Sequence, residues 1–537
     1  MAPRLRGNRH CLMTLLLRQT MSWHLNSVVF SYLSIMATST QGALNMLNNN
    51  VLSSLPSNIA KPDYGRSTVT PGIVHFGMGN FFRAHEAFYI DRCLSQENQR
   101  DWGIVGVELM DNDAMREKAA AYKRQDGLFS LTEVNSDGDA SVRVVGSVID
   151  YLHAPADPEA VIKLLSDPAI RIISMTITEG GYNIDENTGE FDLTHAGVKH
   201  DLANPATPQT VFGLVIEALR RRRDNGVGPF TILSCDNLRH NGTVAKKAFT
   251  GYAKAADAEL AQWIEANVTF PNAMVDRITP AVNANAIKKI NAGSGLEDEL
   301  PLLTETFHDW VLEDKFCAGR PDLAAVGARM TDDVTGYEQV KVRMLNASHT
   351  MLACPAVLLG YEYVHEAMQD EELSALLENF LSKDVIPTLD APADLDVQDY
   401  KRTVLSRFSN PAMADQLLRI AGDTNSKIQV FWTDTFERNL KAGNEVSRLA
   451  FGAAAWLEVL CGKNEKGATF DTFEPTLTEE QRALAKADDL AAGLTLSAFD
   501  PFRAHINDEF RNAVVEARQA IRTKGVKGAI PTKQTEK

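Results

Sequence analysis

The segment KVRMLNASHTML carries an amine, an amide and an imidazole at a spacing that could place all three in one cleft. With Lys341 as origin and about 100° per residue, Asn346 falls near 140° and His349 near 80° on a helix. Met344, Ala347 and Met351 then pack on the other side, while Val342 and Leu345 share the polar arc, so the cleft would be partly apolar. The same pattern also describes an amphipathic helix whose polar face meets water. An amine with amides nearby offers proton transfer and hydrogen bonds to an oxygen without a Lewis acid. Converging metal ligands are missing from the sequence: there is neither HExxH nor a Cys/His zinc pattern, and the GxSxG and P-loop signatures are absent too. Glu86 beside His85 reads as part of a helix, not as a metal pair.

A second chemical feature is the pair Gly77 and Gly79 at the junction of GIVHF and FFRAHEAFYID. In a strand–turn–helix context the first glycine permits a tight turn and the second lets backbone approach a pyrophosphate. Asn80, Phe81 and Arg83 follow, with Arg83 able to pair with phosphate or with a surface acid, and the third glycine of the standard fingerprint is absent. An acid after the second strand would accept hydrogen bonds from the adenosine ribose and favour NAD over NADP. Glu108 and Asp111 are the candidates.

The elements that must position these residues fall into two textures. From Thr68, β-rich runs (GIVHF, WGIVGVELM, IRIISMTITE, PFTILSCDN) alternate with helical patterns, which predicts an α/β nucleotide-binding, Rossmann-like domain. HNGTVAKKAFTGYAKAADAELAQWIEAN reads as one long helix. Beyond TDDVTGY, long helical segments dominate, which predicts a predominantly α-helical second domain. The expected division is an N-terminal extension over 1–62, a nucleotide-binding domain over 63–334, a mainly helical substrate domain over 335–528 and a polar tail over 529–537, with basic residues from KGVKG onward.

Size and composition agree with two soluble globular domains. The 537 residues are 44% hydrophobic and 23% charged, and no run of 18 apolar residues occurs, so no membrane partner is expected. A formal charge of −16 argues against a nucleic-acid partner. Six scattered cysteines suit a reducing compartment. The first 62 residues lack Asp and Glu but hold Arg4, Arg6, Arg9 and Arg18. Either they are transit-like, which would place the chain in mitochondria, or they precede a start at Met36 of a cytoplasmic protein.

The segments GIVHFGMGNFFRAH, MTITEGGYN, SCDNLRHNG, VDRITP, KVRMLNASHTM and RFSNPAMADQLLRIAGDTNSK resemble the polyol-specific long-chain dehydrogenase/reductase family, especially its mannitol 2-dehydrogenases. The resemblance runs from about Tyr64 to the C-terminal region. It implies NAD-dependent, metal-free exchange of hydride between an open-chain polyol and its keto sugar, D-mannitol and D-fructose first, in a monomer with the site between the two domains. It matches Lys341 to the general base, Asn237, Asn346 and His349 to groups holding the reacting oxygen, and Glu338 and Glu179 to a proton path. Arg419, Lys427 and Asp276 match residues at the substrate pocket. Reduction of fructuronate or tagaturonate, oxidation of sorbitol or D-arabinitol, and a noncatalytic sugar-binding descendant are the alternatives.

Overall fold

A computed structural model describes residues 46–185 and 188–531. The two readings of the first 35 residues therefore lie outside the described residues, as does Cys11.

Five strands form the sheet that carries the nucleotide turn: β1 (Pro71–Phe76), β2 (Gly103–Glu108), β3 (Val148–His153), β4 (Ile172–Met175) and β5 (Thr231–Ser234). They are all parallel, in the order β3-β2-β1-β4-β5. This order reverses direction between β1 and β4, the switch point at which doubly wound sheets open a crevice for a ligand. The strands are rich in Val and Ile on both faces because both are covered. Ile73 and Ile172 join one apolar core, and their neighbours Val74 and Ile173 join another on the opposite face.

Two smaller sheets flank this one. Ile59–Ala60, Ala140–Val145, Phe129–Val134 and Leu302–Glu305 form a four-stranded sheet; Arg329–Thr331, Asp309–Glu313 and Ala273–Asp276 form a three-stranded one. The fold also reaches further back than the expected start near Thr68. Leu47 is fully buried with Ile59, Val142 and Leu296, and Ile59–Ala60 pairs with the strand Ala140–Val145. The polar sequence around these few apolar residues hides a contribution that only tertiary contact reveals.

The second half is helical. Ala347–Leu359 packs against Ser447–Val459, which in turn packs along Asp508–Ala529. The run AFGAAAW makes this close packing possible: a Cβ on Gly452 would stand 2.7 Å from the Met351 side chain and 3.1 Å from Trp432. Two further expectations are corrected. The long helix expected after His240 is two, Asn241–Ala256 and Ala258–Asn267, because the Asp257 carboxylate accepts from the Glu259 and Leu260 amides and starts a new helix. KGVKG is not tail but the end of Asp508–Ala529, which bends at Gly525 and buries Val526.

Candidate active site

The turn after β1 shows why its glycines are glycines. Gly77 has φ +89°, and a Cβ there would lie 2.1 Å from the Thr176 carbonyl oxygen at the end of β4. Thr176 Oγ1 donates to the Gly77 carbonyl at 2.6 Å, and the buried His75 ring stands 3.1 Å from the same hydroxyl, so the turn is held from beneath. At Gly79 the space above the backbone is open, with nothing nearer to a Cβ than the Gly77 oxygen at 3.9 Å. Gly106 on β2 leaves room for the turn's Met78 side chain, whose sulfur a Cβ there would meet at 1.7 Å. A turn this close to the sheet, open above, fits a dinucleotide pyrophosphate.

Arg83 departs from its expected place. Its guanidinium is buried, donates to the Leu300 carbonyl at 2.6 Å and Asn80 Oδ1 at 2.7 Å, and faces the Phe129 ring, so it braces the helix Asn80–Ala84 and is not aimed at phosphate. Glu108 ends β2, where a ribose partner belongs, but its carboxylate already accepts from the Leu109 and Met110 amides and the Tyr151 hydroxyl. Asp111 is exposed and paired with Arg116 at 2.7 Å.

A cavity of about 560 Å³ opens beside this turn and runs between the α/β and helical halves. Gly79, Asn80, Phe81, Glu179, Asn237, Asp276, Lys341, Asn346, His349, Arg419 and Lys427 all line it. The structure thus brings together residues drawn from distant parts of the chain.

Lys341 is buried, and its Nζ donates to Asn237 Oδ1 at 2.5 Å and to the Val275 carbonyl at 2.7 Å. The continuous helix expected from Lys341 to His349 is interrupted. Thr335–Lys341 and Ala347–Leu359 are α-helical, but Val342–Asn346 is a π turn. A π turn closes i→i+5 bonds, so Asn346, five residues on, comes round closer to Lys341 than α geometry allows. Burial lowers the Lys341 pKa below that of an ordinary lysine; Asp276 opposes this shift and Arg407 reinforces it.

His349 stacks on Phe408, with ring centroids 3.9 Å apart, and burial pushes its pKa down to about 4, so the imidazole is neutral near pH 7. Glu338 lies one turn before Lys341, beside a smaller cavity of about 50 Å³ that Asn237, Lys341 and Asn346 also line. Its carboxylate accepts from the His240 amide at 3.2 Å, and burial raises its pKa to about 7 against the opposing effects of that amide, Arg239 and Lys341.

The outer charges are largely engaged. Arg419 is exposed and paired with Asp415, and Lys427 Nζ donates to the Ile420 and Gly422 carbonyls at 2.8 and 2.6 Å. Asp276 is buried against Arg407 at 2.8 Å.

Sequence reasoning missed three contributors. Arg407 lies in the motif RFSNP but was not singled out. Asp236, next to Asn237, accepts from the Ile177 and Thr178 amides and the Tyr182 hydroxyl. Those bonds hold Thr178 at φ 65°, ψ 170°, a region essentially reserved for glycine, on the cavity wall. Nothing in a threonine's identity announces such a backbone, although the acid in SCDN was a readable signal.

Residues 71–325 match the mannitol dehydrogenase Rossmann domain and residues 333–522 the mannitol dehydrogenase C-terminal domain. The chain belongs to the mannitol dehydrogenase family of polyol dehydrogenases. It is an NAD(P)-dependent oxidoreductase of that family, with a nicotinamide-dinucleotide-binding Rossmann domain. This polyol dehydrogenase is 58% identical to polyol:NADP oxidoreductase of Gluconobacter oxydans over 90% of this chain and 100% of that protein. It is 41% identical to mannitol 2-dehydrogenase of Cereibacter sphaeroides over 81% and 90%. Among solved structures, substrate-free D-sorbitol dehydrogenase superposes with TM-score 0.88 at 56% identity, covering 91% of this chain and all of that one. The ternary complex of Pseudomonas fluorescens mannitol 2-dehydrogenase with NAD and D-mannitol gives 0.78 at 40%, covering 90% and 99%. The expectation of mannitol 2-dehydrogenase in particular is therefore coarsened to a polyol dehydrogenase of the mannitol and sorbitol type. Among the described residues no helix is long and apolar enough to cross a membrane, and no cluster of three or more His, Cys, Asp or Glu side chains could hold a metal ion.

Proposed function

We propose that this polyol dehydrogenase interconverts an open-chain hexitol and its 2-ketose, with D-sorbitol ahead of D-mannitol as the hexitol. The observation that carries the chemistry is the hydrogen bond from buried Lys341 to Asn237, made across the cleft. The order of substrates follows the relatives: the polyol:NADP oxidoreductase and the D-sorbitol dehydrogenase are 58% and 56% identical, the two mannitol 2-dehydrogenases 41% and 40%. D-Sorbitol and D-mannitol differ only in configuration at C2, so oxidation there converts either into D-fructose.

Lys341 in its neutral form takes the proton of the reacting hydroxyl, and in the reverse direction its ammonium returns it. Bound nicotinamide supplies the hydride acceptor. Asn237 accepts from the lysine through its oxygen, which leaves its amide hydrogens for the oxygen on which charge develops; Asn346 donates from the other side. Neutral His349, fixed by Phe408, orients the same oxygen. Glu338, in the adjoining small cavity, passes the lysine's proton toward solvent by way of the half-exposed His240 ring, whose Nδ1 lies 3.6 Å from its carboxylate. A neutral polyol suits this cavity better than a uronate, because Arg419 and Arg407 are already paired with acids and Lys427 is held by backbone carbonyls.

At the ribose end both candidate acids are engaged, and Arg116 stands half exposed beside Asp111. A carboxylate there repels a 2′-phosphate, but Arg116 neutralises Asp111, and an arginine at this place accommodates that phosphate. We therefore propose that NADP is accepted alongside NAD.

Chromatography of the products tests this reading. Fructose reduction should yield sorbitol in excess over mannitol, and sorbitol oxidation should return fructose. Mannitol as the main product would restore the mannitol assignment, sorbose would move the reaction to the other end of the chain, and preferential uronate reduction would overturn the hexitol reading.

A further inference from the structure

The helix Val397–Phe408 belongs to the helical half, yet its last turn ends inside the other half's polar core. Arg407 donates to both Asp276 oxygens at 2.8 Å, and to the two Glu305 oxygens at 2.9 and 2.7 Å. Asp276 closes the strand Ala273–Asp276, and Glu305 closes Leu302–Glu305, so one guanidinium ties together the ends of two separate sheets. All three side chains are at most 4% exposed. The Phe307 ring lies 4.1 Å from the guanidinium, and the Tyr400 hydroxyl approaches Asp276 from the same helix at 3.4 Å.

The next residue, Phe408, is the one that stacks on His349. Asp276 follows Val275, whose carbonyl holds the Lys341 amine. Two consecutive residues therefore reach both sides of the proposed reaction centre, one through the strand that carries the lysine's acceptor and one through the imidazole. Asn410 adds a tie, donating to the Val134 carbonyl at 2.9 Å. A buried ion triad of this kind is a poor source of stability compared with apolar packing. Its value lies in fixed geometry.

We propose that Arg407 and Phe408 are positioning residues that lock the two halves together around Lys341, Arg407 by holding the Asp276 strand and Phe408 by holding the His349 ring. The proposal rests on the reading of Lys341 as the proton-transfer lysine. The groups facing that amine are Asp276 and Asp309 from the three-stranded sheet, Arg407 from the helical half and Glu338 from its own helix; Asp236 and His349 share its cavity. Removing Arg407 deletes a nearby positive charge and leaves Asp276 unpaired, and both changes favour a charged lysine.

The test measures the pH dependence of Lys341 acetylation by acetic anhydride, followed by peptide mass spectrometry, in wild type, Arg407→Gln and Arg407→Lys. Neutral amine reacts, so the profile reads the lysine directly and does not depend on knowing the substrate. Arg407→Gln should shift the profile to higher pH. Arg407→Lys, which keeps the charge but not the forked bonds, should hold the profile near that of wild type yet lose roughly 100-fold in kcat, the scale of a 1 Å misplacement. Dinucleotide Kd, read by protein fluorescence, should stay within about threefold in both. Phe408→Leu, which needs no change of charge, should raise the ketose KM and lower kcat at unchanged dinucleotide Kd. A folded Arg407→Gln with an unmoved profile overturns the proposal; should that variant not fold, wild-type kcat in both Arg407→Lys and Phe408→Leu overturns it. Inactivity of the wild-type enzyme on every hexitol and ketose would sink the functional reading instead, and the acetylation comparison would still decide this one.

Discussion

Lys341 and Asn237 stand 104 positions apart in sequence, and the lysine Nζ lies 2.5 Å from the asparagine Oδ1. That bond orients both groups: the amine is presented to the cavity, and the amide hydrogens are turned away from it. Asn237→Ala removes the acceptor and a donor to the developing oxyanion together. A loss of about 10²–10³-fold in kcat is expected, the scale for a preorganised donor. Stopped-flow rates of ketose reduction measure it, and a change in KM alone would contradict the role.

The depressed pKa of Lys341 has opposite consequences for activity and stability. Oxidation needs the neutral amine, so its rate should rise with pH through the lysine's folded pKa, below the ordinary lysine value, while reduction falls. Between the folded and unfolded values the unfolded chain binds more protons, so stability rises with pH across that window and is lowest below it. Lys341→Met should therefore raise stability at neutral pH by ~0.5–2 kcal/mol while abolishing turnover. Urea denaturation at pH 7 and pH 10 checks both signs.

Glu338 gives a separate pH signature. Its pKa is raised to about 7 by burial, so its contribution to stability is fully present below the ordinary glutamate value and is lost as pH rises through about 7. As the proton's way out, it should also impose a limb near pH 7 on kcat. Glu338→Gln should erase that limb and slow turnover; a profile with the limb intact would assign it elsewhere.

Gly77→Ala places a Cβ against the Thr176 carbonyl at a positive φ. Strain of about 1–3 kcal/mol is expected, together with dinucleotide affinity weakened at least tenfold. Fluorescence titration with NADH and NADPH reads the second effect.

Arg116 tests the proposed tolerance of the 2′-phosphate. Arg116→Glu should lower kcat/KM for NADPH by roughly tenfold, the loss of a charge-assisted contact of about 1.4 kcal/mol, with little change for NADH. An equal effect on both cofactors would remove Arg116 from the ribose end.

The alternation of Val/Ile-rich runs with helical patterns made the two-domain architecture legible, because parallel strands buried on both faces leave that signature. Lys341, Asn346 and His349 were visible as an arc, and Asn237 joined them through resemblance. The π turn at Val342–Asn346 was not legible, since 100° per residue assumes the hydrogen-bond pattern it replaces. Arg83 and Glu108 mark a different limit: their charge was readable, but only packing shows that Leu300 engages the first and Tyr151 and local amides the second. Arg407 was hidden by the opposite habit, because an arginine in a helix usually faces water.

The central claim is that Lys341 carries the proton in ketose–hexitol exchange, and the most direct test is single-turnover reduction of D-fructose by enzyme preloaded with NADPH or NADH, wild type against Lys341→Ala. The account predicts a wild-type transient that falls by about 10²–10⁴-fold in the variant while dinucleotide affinity is retained. A variant that reduces fructose at the wild-type rate would contradict it.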